Sequence, residues 1–509
     1  MNFRPAILML LGALWTPTVG QAQVHYQPNG QPWKQKASAG PDAQVPGWYY
    51  NLGITGIRVE LMEEHPQALM VRYVFPDSPA DGKVQAGDLI TGVDGKSFQV
   101  AHQNGYGMDK FGPYGPIADF AQALDACQQG AGPGVKARLK AKAGNGTLNL
   151  MLQRAGKKAQ AKINVGDKYG AYSKSFPNEC AKTDLILAEL LDYLVDHQQA
   201  DGSWGSAPHN TFAPLALMSS DKKSHRDALL KNVKMHAKTT KAVDESWLIN
   251  WRYMSAAIVL SEYYLLTGEK WLLPELQEIY DFLVSTQYVD LSQVNPKAKE
   301  THPHTYPTTQ LDSHGGWGHN PGFEGYGPIA MITAQGALAF AMMKQCGIEV
   351  DADRHAAAYA FLDRAAGKNH YVWYKDQAAG DQNWADMGRT GAAAIANRMY
   401  AKDKKHKRRS IEFASVIGQH PDSFADTHGS PIMGMAYGAL GASCDPRAFR
   451  RLMDANKWWF TLSQCTDGSF YYQPNRDNAG YGADSRISAT AAVAFILSIP
   501  KAATTLTKG

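Results

Sequence analysis

Residues 329–343 read IAMITAQGALAFAMM, a run of helical length that is apolar on every side and rich in Gly and Ala. A helix that is apolar all round is buried all round, and small residues let neighbouring helices approach it closely. Residues 390–399, 431–442 and 487–497 have the same character. The sequence therefore predicts an inner layer of helices that is enclosed by the rest of the chain.

Amphipathic helices alternate with these buried ones. Leu187, Leu190, Leu191 and Leu194 stand at positions i, i+3, i+4 and i+7, and the same spacing recurs over residues 276–283 and 455–462. The pattern gives six hairpins, whose outer helices begin near Asp184, Ser224, Leu272, Asp351, Lys404 and Asp445 and whose inner helices begin near Thr211, Trp247, Tyr326, Gly388, Ser430 and Ser485. About fifty residues per hairpin is within the range of helical repeats. We predict a mainly α-helical fold, an (α/α)6 toroid over residues 183–500.

Short motifs recur where an outer helix gives way to an inner one: QQADGSW at 198–204, QLDSHGGW at 310–317 and QCTDGSF at 464–470. Gly permits the tight turn, and the aromatic ring packs into the next hairpin. These motifs resemble the repeats of terpenoid cyclases and protein prenyltransferases, which are α/α toroids. The Asp-rich motif of protonating cyclases and the zinc site of prenyltransferases are both missing. The resemblance therefore implies the fold and no activity.

Residues 47–165 alternate apolar and polar positions between Gly, Pro and Asp turns, which predicts a small α+β domain. This segment resembles a PDZ domain through LGI at 52–54, SPA at 78–80, GDLI at 87–90 and VDG at 93–95. In that family, the loop at Leu52, Gly53 and Ile54 presents backbone N–H groups to the terminal carboxylate of a peptide, which adds as a strand to a sheet edge. The alternative is a spacer or a domain that docks on the toroid. Residues 166–182 are predicted to be a linker.

The chain as a whole resembles an uncharacterised bacterial family that joins a PDZ-like domain to a toroid. The supporting segments are NLGITG at 51–56, SPADG at 78–82, MGRTG at 387–391, DTHG at 426–429 and residues 458–470. The resemblance implies this architecture and brings no established activity.

The first 22 residues read as a secretory signal peptide cut near Ala22, because a short apolar run follows Arg4 and small residues precede the cut. We therefore expect a periplasmic or secreted protein, and no later segment is apolar enough to span a membrane. The five cysteines are odd in number, so at least one is unpaired within the chain. The net charge of +4 over 509 residues is small, which argues against a nucleic-acid partner.

The candidate site follows from the toroid. All inner helices of such a fold run the same way, so their N-termini gather at one end, where aligned helix dipoles favour an anionic group. The segments that precede the inner helices are polar and hold His209 and Asn210; Asp244 and Glu245; His319, Asn320, Glu324 and Tyr326; Asp386 and Arg389; Asp426 and His428; and Tyr481, Asp484 and Arg486.

Asp386, Asp426, His428 and Asp484 are the candidate catalytic residues. Carboxylates and an imidazole around a cavity can share general acid and base roles, and two carboxylates that flank a bond can cleave a glycoside. The candidate substrate-binding residues are Arg389, Arg486, His319, Glu324, Tyr326, Tyr481, Trp204, Trp317 and Trp384. Each Asp also has a purely structural interpretation, since Asp before a helix is a common N-cap.

Two functions remain open from the sequence. The first is an enzyme, a hydrolase or lyase that acts on an anionic or polyhydroxylated substrate such as a polysaccharide. The second is a non-catalytic scaffold that binds peptide C-termini through the PDZ-like domain. We expect neither a metal nor another cofactor. The basic run KDKKHKRR at 402–409 predicts a solvated helix end, with a docking patch for acidic partners as the alternative.

Overall fold

The computed structural model describes residues 25–26, 32–33, 48–62, 64–102, 114–129, 145–205, 209–241, 248–323, 327–378, 387–400, 403–425, 431–473 and 486–508. The predicted signal peptide lies outside these residues. Among them, no helix combines the length and the apolar character that crossing a bilayer requires. All five cysteines are described, and each is a free thiol.

The N-terminal part of the chain is an antiparallel sheet with one packed helix. Its strands are β1 (His25–Tyr26), β2 (Pro32–Trp33), β3 (Trp48–Asn51), β4 (Ile57–Leu61), β5 (Leu69–Val74), β6 (Leu89–Val93), β7 (Lys96–Ser97), β8 (Thr147–Arg154) and β9 (Lys157–Asn164). β1 and β2 pair with each other, and the main sheet has the order β3-β4-β5-β6-β8-β9, with β7 beside β6. In β8, Leu148, Leu150 and Leu152 alternate into the core. Helix α1 (Pro116–Cys127) packs on β6 and β8.

Twelve helices form two layers, as the sequence predicts. The outer helices are α2 (Ala181–Asp196), α4 (Lys223–Thr239), α6 (Leu272–Thr286), α9 (Ala352–Ala366), α11 (Lys404–Gln419) and α13 (Pro446–Ala455). The inner helices are α3 (His209–Leu217), α5 (Ile249–Thr267), α8 (Ala330–Gln345), α10 (Met387–Tyr400), α12 (Pro431–Ala442) and α15 (Arg486–Ser498). Two short helices, α7 (Ala298–Thr301) and α14 (Lys457–Ser463), lie in connections. Residues 330–343 of α8 are all buried, as an inner helix requires.

The inner helices close into a ring. Each one contacts the next along the chain, and α15 contacts α3. Successive helices begin at the same end: Gly388 in the first turn of α10 lies against Gly434 in the first turn of α12, and Thr211 of α3 donates to the Ser255 hydroxyl of α5 at 2.7 Å. We call the end of the ring where the six inner helices begin the mouth. The predicted (α/α)6 toroid is confirmed.

Three of the outer helices begin at side-chain caps. The carboxylates of Asp351, Asp403 and Asp445 accept the backbone N–H of a residue in the first turn of α9, α11 and α13. Each cap satisfies a donor that the helix itself leaves unpaired, which is worth about 1 kcal/mol. An Asp at these positions marks in the sequence where these three helices start.

The far end of the ring is sealed by the C-terminal segment. The Glu262 carboxylate of α5 accepts the backbone N–H groups of Thr505, at 2.5 Å, and Leu506, at 3.1 Å. Arg398 of α10 donates to the Leu506 carbonyl. Leu506 is fully buried. The segment therefore ties together two inner helices that are separated by α8.

Aromatic rings fill the ring interior. Phe212 of α3 lies 5.4 Å from the Tyr437 ring of α12 and 5.5 Å from the Phe495 ring of α15, measured between centroids. Because α15 separates α3 from α12 around the ring, the Phe212–Tyr437 contact crosses the interior. The interior of the toroid is therefore filled by side chains at the level of this contact.

The sheet and the toroid share one hydrophobic core. Tyr169, Tyr172 and Phe176, in the segment predicted as a linker, are buried in it. The Phe176 ring lies 5.7 Å from that of Phe460 in α14. Gly53 packs so tightly on α14 that a Cβ there would lie 2.5 Å from the Thr461 carbonyl oxygen.

Candidate functional site

The four candidate catalytic residues lie outside the described residues. The chain joins Asp386 directly to the start of α10, Asp426 and His428 to the segment between Ala425 and α12, and Asp484 to the segment before α15. Glu324, Tyr326, Tyr481, Trp384, Asp244 and Glu245 also lie outside, as does the side chain of His209. The described part of the mouth consists of the helix starts and the loop residues next to them.

Neighbouring loops are tied together around the mouth. The Asn320 side-chain oxygen, from the loop before α8, accepts the backbone N–H of Leu248 at 2.9 Å where α5 begins. The Tyr374 carbonyl, before α10, accepts the N–H of Ala330 at the start of α8. The Tyr472 hydroxyl, before α15, donates to Ala425 before α12 at 2.7 Å. In each case a loop binds the loop or helix start of the preceding hairpin, so the described loop residues and helix starts form a connected rim.

A threonine in the first two turns of three inner helices anchors the loop before it. Thr333, Thr390 and Thr490 accept the backbone N–H of Trp317, Val372 and Phe470, respectively, at 3.0–3.1 Å. The equivalent acceptor in α3 is the side chain of Asn210, which is bound by the N–H of Trp204 at 2.9 Å. Asn210 therefore has a structural role.

Trp204 and Trp317 are core residues, which corrects the expectation that they bind substrate. Their exposed fractions are 2% and 0%. The Trp204 indole N–H donates to Leu194 at 2.7 Å and that of Trp317 to Leu283 at 2.9 Å. Both carbonyls belong to the last turn of the outer helix that precedes the tryptophan. Each of these two indoles therefore ties its loop to the end of the outer helix of the same hairpin.

The structure also changes which glutamine belongs to the second of the three recurring motifs. The Gln198 side chain donates to Gly202 and to Ala228 of the next outer helix. Gln287 makes the same pair of bonds, to Gly315 and to Arg354 of α9. Gln287 is thus the counterpart of Gln198, and Gln310 belongs to an insertion between Gln287 and Gly315. The Gln310 side chain donates to Val289 instead.

Arg389 and Arg486 are 7% and 4% exposed, and internal partners hold both guanidinium groups. Arg389 donates to the Val372 carbonyl and the Tyr371 hydroxyl, each at 3.1 Å. Arg486 donates to the Ser469 hydroxyl at 2.8 Å and forms an ion pair with Asp467. The two side chains therefore brace the loops before α10 and α15, which corrects their assignment as substrate ligands.

His319 is the one predicted binding residue that the structure places, partly exposed, at the described rim. Its Nδ1 accepts the indole N–H of Trp251 at 2.8 Å, so the two rings meet edge to edge, with centroids 5.9 Å apart and 28° between their planes. Partial burial lowers the pKa of His319 below its usual value. Trp251, in the first turn of α5, was not singled out in the sequence.

The peptide site expected at Leu52, Gly53 and Ile54 is not available for strand addition. β4, which follows this loop, pairs with β3 on one side and with β5 on the other. Adding a peptide strand requires a free edge. The loop itself is buried against α1 and α14. These contacts contradict the assignment of this loop to peptide binding.

The outer strand of the sheet docks on the rim instead. The backbone N–H of Asn51 in β3 donates to Gln473 at 2.8 Å. The fully buried Arg58 of β4 donates to the Tyr471 hydroxyl at 2.9 Å. Tyr471 is the immediate neighbour of Tyr472, which binds Ala425. The sheet therefore supports the loops that lead into α12 and α15.

Metal binding has no support in the described part of the chain, where no three His, Cys, Asp or Glu side chains cluster as metal ligands would. In the basic run, Lys405 and Arg409 pair with Asp363, and Arg408 and Arg409 pair with Glu412. Much of its charge is therefore balanced locally.

The toroid matches the model of a protein family. Residues 183–507 match the model of a family described as "Domain of unknown function (DUF6288)". The chain belongs to this family. The DUF6288 region coincides with the twelve-helix toroid and includes the C-terminal segment that seals its far end. No curated protein matches the chain significantly.

Solved structures similar to this DUF6288 protein include glycoside hydrolases of family 76. An inactive variant of the α-1,6-mannanase of Salegentibacter sp. HEL1_6, in complex with α-1,6-mannotriose, is 9% identical, with a TM-score of 0.44 over 63% of this chain and 99% of that one. A family 76 glycoside hydrolase from a bovine Bacteroides thetaiotaomicron strain is 10% identical, with a TM-score of 0.44 over 70% of this chain and 84% of that one.

Proposed function

We propose that this DUF6288 protein is an enzyme that cleaves a polysaccharide at the mouth of the toroid, as a hydrolase or a lyase. The observation that carries the proposal is the order of the inner helices. α10, α12 and α15 are consecutive neighbours in a closed ring and begin at the same end. The segments joined to their starts supply Asp386, Asp426 with His428, and Asp484.

This arrangement suits acid–base cleavage of a glycosidic bond. Of two carboxyl groups across a bond, one protonates the leaving oxygen and the other either activates water or attacks the sugar. His428 offers an imidazole, which can serve as the base of a lyase. The hydrogen bonds that join the described loop residues to the neighbouring hairpins support a site at this end of the ring.

Export of the enzyme is part of the proposal. The N-terminal sequence predicts a signal peptide cut near Ala22. An exported enzyme would reach large polysaccharides outside the cytoplasm. Fractionation of cells that express the full chain tests this point, with the processed protein expected in the periplasm or the medium.

The activity is tested by incubating purified protein with neutral and acidic polysaccharides and measuring new reducing ends and the ultraviolet absorbance of unsaturated products. Asp386→Asn, Asp426→Asn and Asp484→Asn are compared with Asp422→Asn, a matched control because Asp422 is exposed and lies four residues before Asp426. We expect at least one of the first three variants to lose about 10²–10⁴-fold in rate and the control to keep its rate. Equal rates in all variants would refute the proposal.

For the N-terminal sheet, we propose a supporting role rather than peptide recruitment. Its sequence resembles PDZ domains, but the occupied edges of β4 and the Arg58–Tyr471 hydrogen bond favour a domain that docks on the toroid. A library of peptide C-termini tests this: binding that depends on Leu52, Gly53 and Ile54 would restore the scaffold function.

A further inference from the structure

We propose a second catalytic site, in which Ser220 is the nucleophile, His225 is its base and Asp192 orients the base, and which hydrolyses esters of short acyl chains. The inner helices begin at the mouth, and Ser220 lies between the end of α3 at Leu217 and the start of α4. Ser220 therefore stands at the end of the ring opposite the mouth. The inference goes beyond the proposed function and does not depend on it.

The three side chains are hydrogen-bonded in the order that nucleophilic catalysis needs. Nε2 of His225 lies 2.8 Å from Oδ1 of Asp192, and Nδ1 of His225 lies 2.7 Å from the Ser220 hydroxyl. An ionised carboxylate only accepts, so Nε2 carries the proton of the neutral imidazole. Nδ1 is then an acceptor, and the Ser220 hydroxyl donates to it. A serine bound to a base that a carboxylate orients is an activated nucleophile.

Asp192 is held in its ionised form. The Lys222 ammonium forms an ion pair with the Asp192 carboxylate, to which His225 also donates. Burial raises the pKa of Asp192, but the hydrogen bonds from Lys222 and His225 outweigh this effect, and the pKa lies below its usual value. The acceptor that fixes the proton on Nε2 of His225 is therefore present at neutral pH.

The partners of His225 differ from those of two other buried histidines. His236 and His355 each bond to a backbone carbonyl through Nε2. Such a bond joins two elements and activates no hydroxyl. His225 is 3% exposed and bonds to side chains through both nitrogens, whereas Ser220 is partly exposed. A buried base behind a more accessible hydroxyl can take the serine proton while a substrate approaches from solvent.

The start of α4 offers donors for the negative charge that develops on the carbonyl oxygen of an ester under attack. Its N-cap residue is Lys222, whose side chain has no acceptor for the helix N–H groups. The backbone N–H of Lys222 donates to the Ser220 hydroxyl at 3.2 Å, which holds the serine beside the helix start. A helix leaves its first N–H groups unpaired and is partially positive at this end.

The surroundings of Ser220 define the acyl group. Asp221, Lys223 and Arg226 are exposed around the start of α4, and Lys222 is exposed as well. The two lysines are already ion-paired with carboxylates. A long acyl chain would find no apolar surface among these residues to bury against, whereas an acetyl group has little apolar area to bury. The substrate class is therefore an ester of a short acyl chain.

The reaction has two steps. Ser220 Oγ attacks the carbonyl carbon and passes its proton to Nδ1 of His225. The bond from that carbon to the alcohol oxygen breaks, and the leaving oxygen takes the proton from His225. Water then attacks the acyl-serine and passes a proton through His225 to Ser220 Oγ, which releases the carboxylic acid and restores the serine.

The test uses full-length protein, p-nitrophenyl acetate as the ester and a fluorophosphonate as the covalent probe of an activated serine. We expect steady-state release of p-nitrophenol, and mass spectrometry should map the phosphonyl group to Ser220. Ser220→Ala should reduce the rate about 10²–10⁴-fold. Ser219→Ala is the matched control and should keep the rate, because the Ser219 hydroxyl donates to the Ala216 carbonyl instead of a histidine.

A second variant separates catalysis from a structural role. Asp192→Asn keeps an oxygen that can accept from His225, so we expect a folded protein, as judged by thermal unfolding, with a reduced rate and slower labelling. An unlabelled Ser220 in the wild type, or the wild-type rate in Ser220→Ala, overturns the inference. Asp426→Asn should keep the ester activity, so failure of this site and failure of the proposed polysaccharide cleavage are distinguished.

Discussion

Gly391 of α10 lies against the backbone of Tyr437 in α12, so closely that a Cβ on Gly391 would lie 2.1 Å from the Tyr437 carbonyl oxygen. On the same interface, a Cβ on Gly441 would lie 2.2 Å from the Cα of Gly391. The two helices meet backbone to backbone, and the closed ring depends on this approach. Since α10 and α12 also carry two of the candidate catalytic segments, their spacing sets the geometry of the site.

The first prediction concerns this contact. Gly391→Ala forces α10 and α12 apart and should lower the free energy of unfolding by about 1–3 kcal/mol, as overpacking of a dense core does. Gly438→Ala is the matched control, because nothing lies within 4 Å of its added Cβ. Alanine is favoured over glycine inside a helix, so this variant should be neutral or up to about 1 kcal/mol more stable. Denaturant unfolding measures both, and equal effects would contradict the close contact.

The seal at the far end gives the second prediction. Leu506→Ala empties a fully buried site and should cost about 2–5 kcal/mol. Glu262→Gln places an amide donor beside the N–H groups of Thr505 and Leu506 and should cost about 1–3 kcal/mol. Thermal unfolding of these variants, with exposed Lys508→Ala as control, tests the seal. Wild-type stability in both would show that the C-terminal segment is dispensable.

A third prediction links stability to pH through a buried histidine on α4. Nε2 of His236 donates to the Asn210 carbonyl at 3.0 Å, and burial lowers the pKa of His236 to about 4. The unfolded chain binds a proton near pH 6.5, so the stability that His236 contributes is complete above that pH and is lost as the pH falls toward 4. The loss amounts to about 3 kcal/mol.

Unfolding free energies measured between pH 7 and pH 4 check this dependence. His236→Gln removes the titrating group and should flatten the decline by about that amount. His355, whose pKa burial also lowers to about 4, keeps its own contribution in the variant. An unchanged decline in His236→Gln would mean that His236 is not held neutral in the fold.

The fourth prediction separates a core tryptophan from an exposed one. Trp317→Ala should lower the free energy of unfolding by about 3–5 kcal/mol, because the ring is fully buried and its N–H is bound. Trp271→Ala, at an exposed site, should change it by less than about 1 kcal/mol. A Trp317→Ala protein of normal stability that fails to bind sugar would restore the original assignment of Trp317 to substrate binding.

The helical layers could be predicted because burial leaves a direct mark on the sequence. An inner helix such as α8 has no polar stripe, and an outer helix such as α11 begins after a capping Asp. The outer helices predicted to begin near Leu272 and Lys404 start at those residues in the structure. Tyr326 was predicted four residues before α8 starts at Ala330, because the Gly-Pro pair at 327–328 precedes the helix rather than lying in it.

The roles of individual rim residues could not be predicted from the sequence alone. A Gly-x-Trp motif has the same composition whether its indole is enclosed, like Trp317, or open to a ligand. The guanidinium of Arg486 gives no sign in the sequence of its pairing with Asp467. Trp251 lies far along the chain from His319, so only the fold brings the two rings together. The insertion after Gln287 also concealed the true repeat.

A crystal structure of the Asp426→Asn variant with a bound oligosaccharide is the decisive test of cleavage at the mouth. We expect a sugar at the mouth, with the glycosidic bond beside the segments that precede α10, α12 and α15. An oligosaccharide bound only on the N-terminal sheet or on the outer helices would contradict it.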